Sequence, residues 1–318
     1  MFQPSPEAAQ VHAEAGHAAA EGAAEGFNAG TVIIEHVSNS SLEHPLIHLP
    51  KVLGIDFSVT KHVFMLWLVA AILFFGITWV VRRYIRQERL IPRGFMGVLE
   101  IGVEFIRDSI VLPNVGQKWV KTWTPLLLTL FLFILGANLI GLIPIFDVLA
   151  LLNHTVIHAP EDSFFAQMLH GGVTATGNFN VTAALATVTF FTIIVAGSRA
   201  HGFVKHWTNM IPSGMPWPLY ILLIPIEVMG MFIRPFALTM RLAANMTGGH
   251  IAILAILSFV FIFNDMIGSL GATGIGLVFS VPLAVGISGL EVIVVLVQAY
   301  VFTLLTAVFV GMAIHAHH

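Results

Sequence analysis

The chain has 318 residues, of which 57% are hydrophobic and 10% are Asp, Glu, Lys or Arg, where a soluble domain carries about 25% charged residues. That balance belongs to an integral membrane protein, and a net charge of −3 matters less than where the charges fall along the chain. With no Cys, disulfides, thiolate metal ligands and cysteine nucleophiles are excluded.

Residues 1–62 read as a polar amino-terminal extension. Glu7, Glu14, Glu21 and Glu25 stand among Ala, Gly and His in its first half, without Lys or Arg. Such a start lacks both the cationic head and the apolar run of a signal peptide. His12 and His17 are expected to be solvated, because a metal needs three or four converging ligands.

A membrane domain over 63–314 follows, with a short tail at 315–318. Its first three apolar stretches, 63–81, 125–146 and 181–198, carry no formal charge. Each is close in length to the roughly 20 residues that cross a ~30 Å hydrocarbon layer as helix. Between the first two, Phe95, Leu99, Val103, Ile106 and Ile110 share one helical stripe, opposite Arg93, Glu100, Glu104, Arg107 and Asp108. That separation predicts an amphipathic helix over 93–111 lying in the membrane interface.

The last two stretches are longer. The fourth, 218–263, carries three formal charges, Glu227, Arg234 and Arg241; the fifth, 275–314, carries only Glu291. A straight helix over the fifth stretch is ~60 Å long, twice the layer, so it must incline steeply. Pro235 or Pro282 could divide these stretches, since proline removes a donor. Division would leave irregular backbone in lipid without a polar loop, so the pattern favours two long, kinked, steeply tilted helices forming a hairpin around a turn at 264–274. The fold class is therefore all-α: three ordinary spans, one interfacial helix and two long inclined helices.

Basic residues set the orientation. The segment 82–124 holds eight Lys and Arg, 147–180 holds none, Arg199 and Lys205 follow the third span, and 264–274 again holds none. The positive-inside rule puts the amino end outside and the carboxyl end inside.

Helical angles then sort the polar residues. Glu227, Arg234 and Arg241 recur every seven positions on one stripe, with Asn245 one turn beyond, while His250 falls on the opposite face. Glu291 and Gln298 are likewise seven apart. If Gln298 lies level with Arg241, Glu291 rises ~10 Å and nears the depth of His250. A carboxylate and an imidazole at one depth can both change protonation, which suits a proton path. Asn138 is a further polar residue in the second span. A guanidinium in the layer costs about 2.5–3.5 kcal/mol or more, and the nearest carboxylate on the stripe of Arg241, Glu227, is ~21 Å away along the helix. Its partner is expected on another chain. Each of the other groups also has a static alternative: an Arg234–Glu227 ion pair, a helix-bridging Gln298, a His–Glu tie, a packing Asn138.

The run from Arg241 through Leu242, Asn245, Gly248 and Gly249 to His250, with Glu291 and Gln298-Ala299-Tyr300 in the last stretch, resembles subunit a of the membrane sector of rotary (F-type) ATP synthases. The resemblance covers roughly 60–314. It implies that Arg241 faces the carboxylates of a rotating subunit c ring. His250 and Glu291 would form an outer half-channel, Gln298 and Asn245 would stand near the arginine, and Glu227 would line an inner half-channel. Asn138 would belong to the outer path, although the acid that many members carry three residues later is replaced here by Gly141. Implied partners are the subunit c ring, peripheral-stalk subunit b, the remaining ATP synthase subunits and the lipid bilayer, with no nucleic acid. No cofactor and no metal are implied, and neither is catalysis by this chain alone. The implied setting is a bacterial inner membrane, with protons as the coupling ion. A secondary transporter using Arg241 to hold an anionic substrate is the alternative, but no internal repeat supports it. Neither GxSxG, HExxH nor GxxxxGK[ST] occurs, and His154 with His158 lacks the Glu of a zincin.

Overall fold

The structure, a computed structural model, describes residues 58–87, 91–142, 175–208 and 217–315. The extension up to residue 57, the connection 143–174 with His154 and His158, and residues 316–318 lie outside the described residues. In chain order the elements are α1 (Lys61–Arg86), α2 (Phe95–Glu104), a π-helical turn (Phe105–Val111), α3 (Leu112–Val115), α4 (Val120–Leu142), a 3-10 turn (Ala175–Gly177), α5 (Phe179–His201), α6 (Phe203–Thr208), α7 (Trp217–Ile275), a second π-helical turn (Gly276–Ser280) and α8 (Val281–Ile314). No β-strand occurs among the described residues. Among the described residues five helices are long and apolar enough to cross a membrane: His62–Arg86, Val120–Leu142, Phe179–His201, Pro218–Val260 and Val278–Ile314. They coincide with the five apolar stretches of the sequence. Two compact units divide the chain, with described residues 250–288 in one and 58–249 with 289–315 in the other.

Local chemistry explains the ends. Arg83 and Arg86 occupy the last turn of α1, where cations offset the helix dipole. The Asn178 side chain caps α5 by accepting the Asn180 N–H at 2.8 Å. Gly202, with φ of 88°, then turns the chain into α6. Pro225 and Pro235 stand inside α7 without ending it, and the Thr239 hydroxyl donates to the Pro235 carbonyl at 3.0 Å. Pro282 stands at the second position of α8, directly after the π-helical turn Gly276–Ser280.

The turn expected at 264–274 falls at Gly268, whose φ of 79° and ψ of 168°, a conformation open to glycine, separate two helices. Over 93–111, the helix passes into a π-helical turn at Phe105; Ile106 and Ile110 of the expected stripe are buried there, joined by Val111 and Val115. Arg93, Glu100, Glu104, Arg107 and Asp108 are all exposed, yet so is Phe95.

The larger unit has two apolar clusters. One joins Ile106, Ile110 and Val115 to Trp123 and Leu127 of α4, Ile193 and Ala196 of α5, and Val310 and Ile314 of α8. The other joins Leu130 and Ile134, Ala186, Leu238 and Leu242 of α7, and Ala299 and Phe302. The first cluster brings the start of α4, the end of α5 and the end of α8 together, so Lys118, Lys121, Arg199 and Lys205 collect at one end of the bundle. The His201 Nε2 lies 2.9 Å from the Ile314 carbonyl oxygen, and the Asn114 carbonyl oxygen packs where a side chain at Gly311 would stand. Leu73 of α1 seats on α4 at Gly136, where an added Cβ would lie 3.1 Å from its Cδ1.

Candidate functional site

One turn of α7 separates two kinds of surface. Leu238, Leu242 and Met246 are buried against the bundle, while Ala237, Met240, Arg241, Ala244 and Gly248 are exposed on the other side. Arg241 thus projects from a face otherwise made of small or apolar residues. Among the described residues no carboxylate comes within ion-pair reach of it. Burying such a charge in hydrocarbon without a counter-charge is costly. The chain does not supply that counter-charge among its described residues.

The turn that follows meets α8. The Asn245 side-chain amide donates to the Gln298 Oε1 at 2.9 Å, and Gln298 is itself buried. This sets Gln298 one turn further along α7 than the expected level with Arg241. Glu291 is only 3% exposed, and its carboxylate lies against the backbone of Gly249: a Cβ there would stand 2.7 Å from the Glu291 Oε1. Gly249 therefore gives the carboxylate its room. His250, half-buried, begins the other compact unit.

Arg234 has a different setting. Its Nη2 lies 3.7 Å from the Glu227 Oε1, and its guanidinium carbon is 5.5 Å from the centre of the Phe309 ring. So Glu227 stands beside Arg234, not Arg241. The contact is long and partly exposed, of the kind worth about 0–1 kcal/mol.

Asn138 is fully buried in α4 and accepts a hydrogen bond from Thr176 Oγ1 in the 3-10 turn. Thr247 Oγ1 donates to the Gly177 carbonyl at 3.3 Å. Together these link α4 to α7 two residues beyond Asn245. The Asn138 Nδ2 has no partner among the described residues. Thr176, and the role of Gly249 beside Glu291, escaped sequence reasoning. Thr176 carries no charge to mark it, whereas Gly249 had a signal, a small residue beside a motif facing a buried acid.

Outside the spans, Arg107, Asp108 and His206 are shifted. The Arg107 guanidinium hydrogen-bonds Asp108 at 2.7 Å and holds its carboxyl below the ordinary carboxylate range. His206 of α6 is buried against Gly197, and burial, then the nearby His201, pushes its imidazole below the usual value of 6.5. No group of three or more His, Asp or Glu able to hold a metal occurs among the described residues.

These features define a multi-pass helical membrane protein with an exposed arginine among small residues on a span. A family model described as the ATP synthase A chain matches residues 63–311. The chain is similar to "ATP synthase subunit a 2" of Prosthecochloris aestuarii, 39% identical over 314 residues and covering 96% of this chain and 86% of that one. It is 40% identical over 312 residues to "ATP synthase subunit a 2" of Chlorobium luteolum, covering 95% and 79%. "ATP synthase subunit a" of Chlorobium phaeobacteroides is 38% identical over 313 residues, covering 96% and 81%. The chain belongs to the ATP synthase A chain family.

Proposed function

We propose that this chain is the proton-conducting stator subunit of a rotary ATP synthase, with Arg241 facing the ring of subunit c. The observation that carries the reading is the setting of Arg241: exposed, without a carboxylate partner among the described residues, and flanked by Ala237, Ala244 and Gly248. Small residues let a neighbouring helix come close. A ring carboxylate brought up to this face becomes the missing counter-charge.

In this mechanism a proton enters from outside past Glu291 and His250 and neutralises a ring carboxylate. The neutral subunit can then turn into lipid, where the charged form would be too costly. After nearly a full revolution it meets an inner aqueous path near Glu227 and loses the proton, because the field of Arg241 favours the ionised form. As the guanidinium keeps its own proton, it also repels one leaking directly between the half-channels. Rotation is the remaining route. Each charge crossing 100 mV supplies about 2.3 kcal/mol, so several must pass for each ATP made elsewhere in the complex.

The Asn245–Gln298 bond would hold α8 beside the arginine, and Gly249 would seat Glu291 in the outer path. Asn138, bonded to Thr176, would support that path from α4. The long helices α7 and α8 would run inclined along the ring. The amphipathic helix from Phe95 would lie on the inner surface, where subunit b of the peripheral stalk is also expected. The extension 1–62 would lie outside and residues 315–318 inside a bacterial plasma membrane, by the distribution of basic residues.

The test is Arg241→Ala in inverted membrane vesicles. Coupled ATP synthesis should fall to background while the chain still assembles; synthesis at the normal rate refutes the reading.

A further inference from the structure

The geometry points to a binding site for a doubly anionic phospholipid on the outer face of α1, built from Arg82, Arg83 and Arg86 and an apolar slot shared with α4. The inference uses none of the residues assigned above to proton transfer.

Phe75, Thr78, Trp79, Arg82, Arg83 and Arg86 line one surface cavity of about 470 Å³. All three guanidiniums are exposed, and among the described residues none pairs with a carboxylate. The Arg83 guanidinium carbon lies 5.4 Å from the centre of the Trp79 ring, so an indole holds it in place. Three permanent cations within little more than one helical turn repel one another, and an anion carrying more than one phosphate would relieve that repulsion through bidentate bonds.

A second cavity of about 580 Å³ begins where the first ends, because Thr78 lines both. It runs back along α1 past Phe74 to Ala71, against Thr129, Leu132 and Phe133 of α4, and is mainly apolar. Leu73, seated on Gly136, ties the two helices beside it. From Ala71 to Thr78 the slot extends ~10 Å along the helix, within the ~15 Å depth of one hydrocarbon leaflet. The cations stand at the head of this slot, beside a tryptophan of the kind that favours the membrane interface.

A lipid fits both halves: acyl chain in the slot, phosphates on the guanidiniums. Basic pockets beside spans are the general setting for such headgroups. Phosphatidylcholine would bring its own cation into the arginine cluster. Soluble phosphate would leave the slot unused, and so would an acidic protein segment.

Native mass spectrometry of the full chain, extracted from membranes and titrated with cardiolipin or with phosphatidylcholine of matched chains, tests the site. The chain should retain cardiolipin about tenfold or more in preference. The Arg82→Gln, Arg83→Gln, Arg86→Gln triple variant should lose the preference, and the matching Lys variant should keep part of it, which separates charge from misfolding. Ala71→Phe, which fills the slot and leaves the cations, should also weaken retention. Equal retention of both lipids, or an unchanged preference in the Gln variant, overturns the assignment. So does displacement of the lipid by inorganic phosphate, which would make this a soluble-anion site. A photocrosslinker at position 83 that captures an acidic protein in native membranes, instead of lipid, overturns it as well.

Discussion

Two arginines seven positions apart on α7 share a stripe yet have opposite surroundings. Arg234 has Glu227 and the Phe309 ring within its own chain, whereas Arg241 has no carboxylate among the described residues and looks outward past small side chains. Residue type and spacing are the same, so the difference comes from what the rest of the fold places nearby. A cation that its own chain pairs can be structural. One left unpaired on a membrane-facing surface needs a partner from elsewhere.

The sharpest way to break this contrast is to remove each charge in turn. Arg241→Ala should abolish coupled synthesis, whereas Arg234→Ala should lower it by no more than about fivefold, the worth of a partly exposed pair. Equal losses in the vesicle assay would erase the distinction.

Next in size is Gly249→Ala. A methyl group 2.7 Å from the Glu291 Oε1 must displace that carboxylate, and proton-driven synthesis should drop about tenfold or more. Gly230→Ala, on the same helix and with nothing within 4 Å of the added Cβ, is the paired control for folding. The exchange His250→Glu with Glu291→His should keep more proton flux than either single change if the two groups act as a couple. Simple addition of the two losses would show that they do not.

Smaller effects belong to the basic end of the bundle. Gly197→Ala places a methyl group on the His206 ring and should destabilise the detergent-solubilised chain by about 1–3 kcal/mol. His206 also gives a pH dependence. Its folded-state value lies below 6.5, so the unfolded chain takes up a proton first as pH falls. The stability it contributes is full above the unfolded value of 6.5 and is lost as pH falls from there through the lower folded value. The melting temperature should therefore decline on acidification, by less in His206→Gln. An identical decline in the variant would remove His206 as the cause.

Much of this was legible because the membrane simplifies the signal. Uncharged runs long enough to cross the hydrocarbon layer marked the spans, and Arg241, Glu291 and Gln298 stood out because charge and amide are scarce there. The structure bears out the five apolar helices and puts Asn245 and Gln298 in contact, one turn from the expected register. Less visible were features set by backbone and packing. No residue type announces the π-helical turn at Phe105–Val111, so the burial of Val111 and Val115 beside Ile106 and Ile110 was not foreseen. The turn expected at 264–274 was legible from its polar residues, but its confinement to the single residue Gly268 was not. Thr176 has no charge and no period to mark it; its role appears only when α4 and the 3-10 turn are seen together.

The packing of the end of α8 has a consequence for how the chain is made. Thr189 and Thr306, far apart in sequence, come within 3.4 Å, and Ile193 and Ala196 find Val310 and Ile314 only when that late segment arrives. Until then the middle spans lack one wall of their core. Formation of this bundle is thus a late, non-local event, and a ribosome stalled before Tyr300 would leave in the bilayer a set of helices with an open seam, ready for a quality-control protease.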